Sequence, residues 1–178
     1  AVNKENEKIN GVKYISTNQQ EALKEKNKIK GAINGIYNLK AKKELKKLLK
    51  TLDRDNTIIH VHGWTKALSS SVFDIAFKMR FKVVLTLHDY FTACPNGGYF
   101  NYKKNEICKF KPLSWKCIKC NCDSRNYGFK LYRLIRQFVQ NKIVKLNDKL
   151  ENVITISEFS EKILKTTLGK NTRVTRIY

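Results

Sequence analysis

Val83–Phe100 reads VVLTLHDYFTACPNGGYF. Its first five residues, Val83 to Leu87, are apolar and β-branched enough to predict a buried strand, and they run directly into His88 and Asp89. Aromatic residues, Cys94 and the turn sequence Pro95-Asn96-Gly97-Gly98 follow. Pro, Asn and Gly are sufficient to reverse a chain, so the turn does not explain a histidine and an aspartate on the strand's last positions. In open parallel sheets, functional side chains gather just past the carboxyl ends of the strands. His88 and Asp89 are therefore the first candidate site residues.

Working outward, TIIHVH (Thr57–His62) predicts a second buried strand that leaves through Gly63, and Val153–Ile156 and Arg173–Tyr178 predict two more. Between them lie helical spacings. Ala41, Leu45, Leu48, Leu49 and Leu52 form one stripe opposite lysines, Ser69–Phe81 carries Val72, Ala76 and Met79, and Ser157-Glu158 opens a helix ending near Gly169. Gly128–Leu146 places Leu131, Leu134, Ile135, Phe138, Val139, Ile143 and Leu146 at helical intervals, which predicts an inner face packed on the sheet. GVKYIS (Gly11–Ser16) reads as a short strand, residues 18–35 as helix or loop, and AVNKENEKIN as an edge or lead-in.

Strands alternating with helices predict an α/β domain with a Rossmann-like parallel sheet and flanking helices. Right-handed crossovers then bring the strand ends to one rim, which gathers His62, Gly63, His88, Asp89, Ser157 and Glu158. One domain, residues 1–178, is expected, with a cysteine-rich insertion at 92–125 and no internal repeat.

A chain of 178 residues that is 42% hydrophobic has room for one proper core. Its formal net charge of +21, from 36 Lys+Arg against 15 Asp+Glu, points to an anionic partner: nucleic acid, a membrane surface or a phosphorylated substrate. No apolar run approaches the ~20 residues that span a bilayer, and no secretory signal opens the chain. The expectation is a soluble protein in a reducing compartment, because five cysteines confined to one segment do not make a disulfide framework. Starting at Ala1 with Met79 as its only methionine, the chain reads as a piece of a longer or processed product.

His60 and His62 share a strand face; two histidines are too few for a metal, and His60 reads as a packed core residue. Cys94, Cys108, Cys117, Cys120 and Cys122 offer five thiols for the four places around a structural zinc. Cys120 and Cys122 are too close for both to reach one ion easily, so one is a spare; free or packed thiols are the other reading. Lys130, Arg133, Arg136, Lys142 and Lys145 beside the apolar stripe of 128–146 suit either a solvated face or a helix on anionic lipid. A zinc-stabilised nucleic-acid-binding module is the alternative reading of charge and thiols, although no finger, RNP signature or helix-turn-helix is present.

HVHGWTKALSSSV, VVLTLHDYFTACPNGGYF, the EIC…KC…NCDSR stretch and VITISEFSEKIL, in this order, resemble the amino-terminal domain of bacterial family-four glycosyltransferases. The likeness is to members that build lipopolysaccharide or capsular polysaccharide, and it covers Ile58 to Tyr178. It implies a GT-B architecture, two Rossmann-like domains about a cleft, and transfer of a sugar from a nucleotide-sugar donor with retention and without a catalytic metal. The amino-terminal domain holds the acceptor, here a lipid-linked saccharide. The resemblance implies a catalytic His88 reaching the donor sugar, with Asp89, His62, Gly63 and Trp64 shaping the acceptor side and Ser157 and Glu158 on the same rim. It also implies zinc ligands at Cys94, Cys108, Cys117 and Cys122, with Cys120 spare, and a cytoplasmic location at the inner face of an anionic membrane. The family's Gly-rich loop after the first strand and its carboxyl-terminal E-x7-E domain have no counterpart in this sequence. The implied object is a fragment, inactive alone.

Overall fold

The structure is a computed structural model that describes residues 8, 9 and 11–177. It opens on a hairpin of β1 (Lys8–Ile9) and β2 (Val12–Lys13), pairing Ile9 with Val12. GVKYIS therefore supplies half of a small ribbon and not a strand of the main sheet. Most of the lead-in AVNKENEKIN lies outside the described residues. Two helices follow, α1 (Lys28–Ile36) and α2 (Leu39–Leu49). Asn27 and Asn38 cap them, each side chain accepting from the backbone N–H three residues on, at Lys30 and Ala41. Leu52, expected on the inner stripe, falls past the end of α2 and is exposed.

The remaining elements alternate as expected: β3 (Ile58–Val61), α3 (Ser71–Lys78), β4 (Lys82–Leu87), then the excursion with β5 (Phe100–Asn101), β6 (Glu106–Ile107) and α4 (Trp115–Lys119). After it come α5 (Tyr127–Phe138), one π turn (Val139–Ile143), α6 (Leu146–Lys149), β7 (Asn152–Thr155), α7 (Glu158–Lys165) and β8 (Arg173–Arg176). Tyr178, expected to end the last strand, lies outside the described residues. Strands β3-β4-β7-β8 form a four-stranded, all-parallel sheet, and β5 pairs β6 in an antiparallel hairpin. The α/β architecture read from the sequence is the one observed.

A sheet that grows in one direction by right-handed crossovers places its helices on one face. The consequence is visible in the burial of alternate residues. Val61, Val83, Leu85, Leu87 and Val153 point into the core with Phe73, Val144, Leu146 and Leu164. Each such fully buried side chain contributes about 1.5–3 kcal/mol. The opposite parity, Ile58, His60 and His62 on β3 and its exit and His88 beyond β4, is exposed. Those histidines stand on the open side of the sheet because of strand parity.

α3 is enclosed by its surroundings, with Ser71 to Ala76 all buried. Among them is Asp74, whose Oδ2 takes hydrogen bonds from Tyr37 Oη (2.6 Å), Lys42 Nζ (2.6 Å) and Lys78 Nζ (3.0 Å). Burial works against the Asp74 carboxylate, but those three donors overcome it and hold its pKa at about 2. This knot fastens the α1–α2 junction to α3.

The largest departure from expectation is α5. Leu131, Ile135 and Phe138 are exposed, while Lys130, Arg136 and Gln137 are buried, with Gln140 just beyond the helix. Leu134 of the expected stripe is buried, but the rest of the helix is inverted relative to that stripe because much of its inner face meets the loops after β4, not the sheet. Those loops carry main-chain carbonyls that require donors. Arg136 donates to Pro95 O (3.0 Å), Gln140 to Phe91 O (3.1 Å) and, from α6, Asn147 to Thr92 O (2.9 Å). The π turn, closed by Val144 N–H to Val139 O at 2.9 Å, inserts one residue before Val144 and Leu146 enter the core.

Candidate functional site at the strand carboxyl ends

The parallel register pairs Val61 with Leu85 and Leu87 with Thr155, so β3, β4 and β7 end on one rim. Gly63 leaves β3 with φ +49°, a left-handed conformation suited to glycine, and turns the chain away from the rim. His62 Nδ1 then lies 3.0 Å from His88 Nε2, and the His60 ring packs at 4.2 Å from the His62 ring between centroids. His60 is exposed, not packed in the core, and its Nε2 is 2.8 Å from Thr86 Oγ1. Burial and then the neighbouring His60 and His88 rings lower the His62 pKa from 6.5.

Asp89 sits one residue behind His88 and accepts from Phe91 N–H at 3.1 Å. Burial raises its pKa against the opposing pull of that N–H, of Arg136 and of His88. Asp89 and Gly63 line a cavity of about 260 Å³ whose other walls include Lys66, Tyr132, Arg133 and Arg136. Arg136 is almost wholly buried, which pushes its pKa down to about 10, and its guanidinium lies 4.3 Å from the Phe91 ring centroid. Arg133 pairs with the fully buried Asp123 at 2.9 Å. Gly97, with φ +75°, permits the turn that brings Gly97 O to Tyr90 N–H (3.0 Å); a Cβ there would meet the Phe91 ring at 2.5 Å.

Not every candidate reaches this cavity. Trp64 is 3% exposed and stacks edge-on against Phe73, so its ring belongs to the core and does not present a substrate surface. Ser157 caps α7, accepting from Ser160 N–H and donating to Ser160 Oγ. The Glu158 side chain is 87% exposed, at 4.0 Å from Arg176. Lys66, Arg133 and Arg136 are the cavity-lining cations that sequence reasoning did not place at the rim. Their signal was present in the i, i+3 spacing of Arg133 and Arg136, which a reading of α5 as an amphipathic helix assigns to solvent.

The excursion is organised around Lys130. Its Nζ lies 3.1 Å from Cys122 Sγ and 3.6 Å from Cys117 Sγ, and Asn96 Nδ2 lies 3.2 Å from Cys122 Sγ. Burial would lower the Lys130 pKa, but Cys117, Cys122 and Cys94 more than offset it and raise the pKa above the ordinary lysine value. The thiols suit zinc by type. Their arrangement does not: among the described residues no group of three or more His, Cys, Asp or Glu side chains is placed to hold a metal ion, and an ammonium group sits between two of the sulfurs. All five cysteines are free.

Compared with protein-family models, with curated proteins and with solved structures, the chain matches none. Among the described residues, no helix is long and apolar enough to cross a membrane.

Proposed function

We propose that this chain is the acceptor-binding domain of a retaining, metal-independent glycosyltransferase of GT-B type, acting on a lipid-linked saccharide. The observation that carries the reading is the His62–His88 contact at 3.0 Å, beside a cavity that Asp89 and Gly63 line together with arginines but that neither histidine lines. An imidazole held by a second imidazole has a fixed ring plane and a defined proton, which suits it to position a sugar hydroxyl in a cleft. Arg133, Arg136 and Lys66 place positive charge where a diphosphate group of a donor or a lipid-linked acceptor would lie. The donor nucleotide-sugar is held mainly by a second domain facing this rim.

The exposed stripe Leu131, Ile135 and Phe138 on α5, in a chain of net charge +21, supports a peripheral seat on an anionic membrane. That location puts a lipid-linked acceptor within reach and implies the cytoplasmic face.

Sequencing the gene past Tyr178 tests the reading first. A second α/β domain with paired glutamates supports it, and a stop codon immediately after Tyr178 removes it. With that domain attached, His88→Ala should abolish most transfer from nucleotide-sugars while the fold persists.

A further inference from the structure

Helices α1 and α5 pack on each other, and with the turn at Ala22–Lys24 they enclose a groove of about 510 Å³. Its walls are short or apolar for the most part: Ala22, Leu23, Ala32, Gly128, Phe129 and Tyr132. Gly31 and Gly35 let α1 lie close to this wall, because a Cβ at either would collide with Ala22 O or with Tyr132 Oη. The charged lining residues, Lys28 and Arg125, are both exposed cations.

Ala22, Leu23, Phe129 and Tyr132 also line the cavity at Asp89, so the groove adjoins the rim site across a shared wall. The chemistry changes across that wall. On the rim side stand Lys66, which is exposed, with Arg133 and Arg136. Arg133 pairs with Asp123 through Nη1, Arg136 donates to Pro95 O through Nη2, and neither guanidinium makes a further hydrogen bond among the described residues. Of the two carboxylates in that cavity, Glu21 already pairs with Lys24 at 3.2 Å and burial raises the Asp89 pKa, so positive charge is in excess. Free N–H donors beside an apolar groove fit one molecule with an anionic head and a hydrocarbon tail. Ile29 and Ile33 on α1 and Leu131 and Ile135 on α5 are exposed, so a membrane seat through these helices brings lipid to the groove.

We propose that the α1–α5 groove takes the first carbons of a lipid's hydrocarbon chain while the phosphate at its head sits on Lys66 and Arg133 in the rim cavity, with Arg136 adding positive potential. The inference rests on the transferase reading for the lipid-linked nature of the acceptor, and it assigns that lipid to residues outside the His62–His88 pair.

Titration of the ¹⁵N-labelled chain with inorganic phosphate, hexyl phosphate, decyl phosphate and decanol tests it, below micelle formation and followed by amide chemical shifts. Each methylene that enters the groove should tighten binding about threefold, so decyl phosphate should bind at least about tenfold more tightly than hexyl phosphate. Its shifts should span Gly31, Ala32 and Gly128 as well as Gly63 and Lys66, whereas inorganic phosphate should move the latter pair alone. Ala32→Leu, at a partly exposed helical position, should fill the groove and abolish the dependence on chain length without altering phosphate binding. Lys66→Met should weaken the phosphates and leave decanol unaffected. Equal affinity for hexyl and decyl phosphate, decanol binding as tightly as decyl phosphate, or an Ala32→Leu chain with the parent's chain-length dependence would each overturn the proposal. Phosphate that shifts Gly63 and Lys66 with no chain-length effect removes the groove and leaves the transferase reading standing; chain-length dependence without a second domain past Tyr178 does the reverse.

Discussion

His62 Nδ1 and His88 Nε2 are 3.0 Å apart, on side chains 26 residues apart in sequence, and one of the two nitrogens must carry the shared proton. The contact exists because β3 and β4 are parallel neighbours and both histidines have the parity of the open sheet face. Protonating both rings would destroy it.

Two consequences can be measured. Titrated by NMR, the His62 ring should change charge below 6.5, and His88→Ala should move that value back upward by removing one of the neighbours that lower it. If the proposed transferase reading holds, His88→Ala should reduce kcat of the two-domain form it implies by about 10²-fold or more, the scale for a positioned acid–base group, with the melting temperature nearly unchanged. Turnover equal to that of the parent would remove His88 from the site.

Asp74 gives a stability prediction with a definite sign. Its folded pKa of about 2 lies below the reference 3.8, so its contribution is fully present above pH 3.8 and is lost as the pH falls toward 2. Asp74→Asn should cost about 2 kcal/mol near neutral pH, and the gap from the parent should close below pH 3.8. Urea unfolding at stepped pH reads this directly; a gap that stays constant to pH 2 would mean that the knot with Tyr37, Lys42 and Lys78 does not stabilise the fold electrostatically.

What the sequence disclosed followed from local rules. Four short β-branched runs separated by helical spacings had one economical arrangement, and the rim carrying His62, Gly63, His88 and Asp89 followed from it. What it concealed depended on what each element packs against. The apolar period of α5 is real, but the helix turns its polar side inward because Pro95 O and Phe91 O need donors and Lys130 lies between Cys117 and Cys122. Periodicity reports which faces differ and not which one is inside. Trp64 was set on the acceptor side only by the family resemblance, whereas the helical turn at Trp64–Lys66 folds it back onto Phe73.

Lys130 separates two accounts of the cysteines. If the excursion is held by the ammonium and the sulfurs of Cys122 and Cys117, Lys130→Met should cost about 1–3 kcal/mol, the range for leaving buried polar groups without their partner. Chelators should then leave the parent's urea midpoint unchanged. A zinc site would give the opposite pair of results, with metal bound at about one per chain, chelator-sensitive stability and little effect of the methionine. Urea denaturation with and without chelator, alongside metal analysis of both proteins, distinguishes them.

The inverted α5 makes the last prediction. Leu131 (49% exposed), Ile135 (47%) and Phe138 (51%) lie on one side of a helix whose inner side is fully occupied, so replacing them with serine should change folding stability little, within about 0.5 kcal/mol each. Beyond the helix, Lys142, Lys145 and Lys149 are exposed, which adds attraction of about 1 kcal/mol for each cation that reaches an anionic surface. Sedimentation with vesicles containing phosphatidylglycerol should therefore show binding that falls as salt rises, and the triple serine variant should bind about tenfold more weakly or less at every salt concentration. Vesicles of phosphatidylcholine alone should retain little protein, because the apolar stripe is short and the charge no longer helps. If the triple variant sediments like the parent, membrane contact through α5 is excluded and the stripe must face something else.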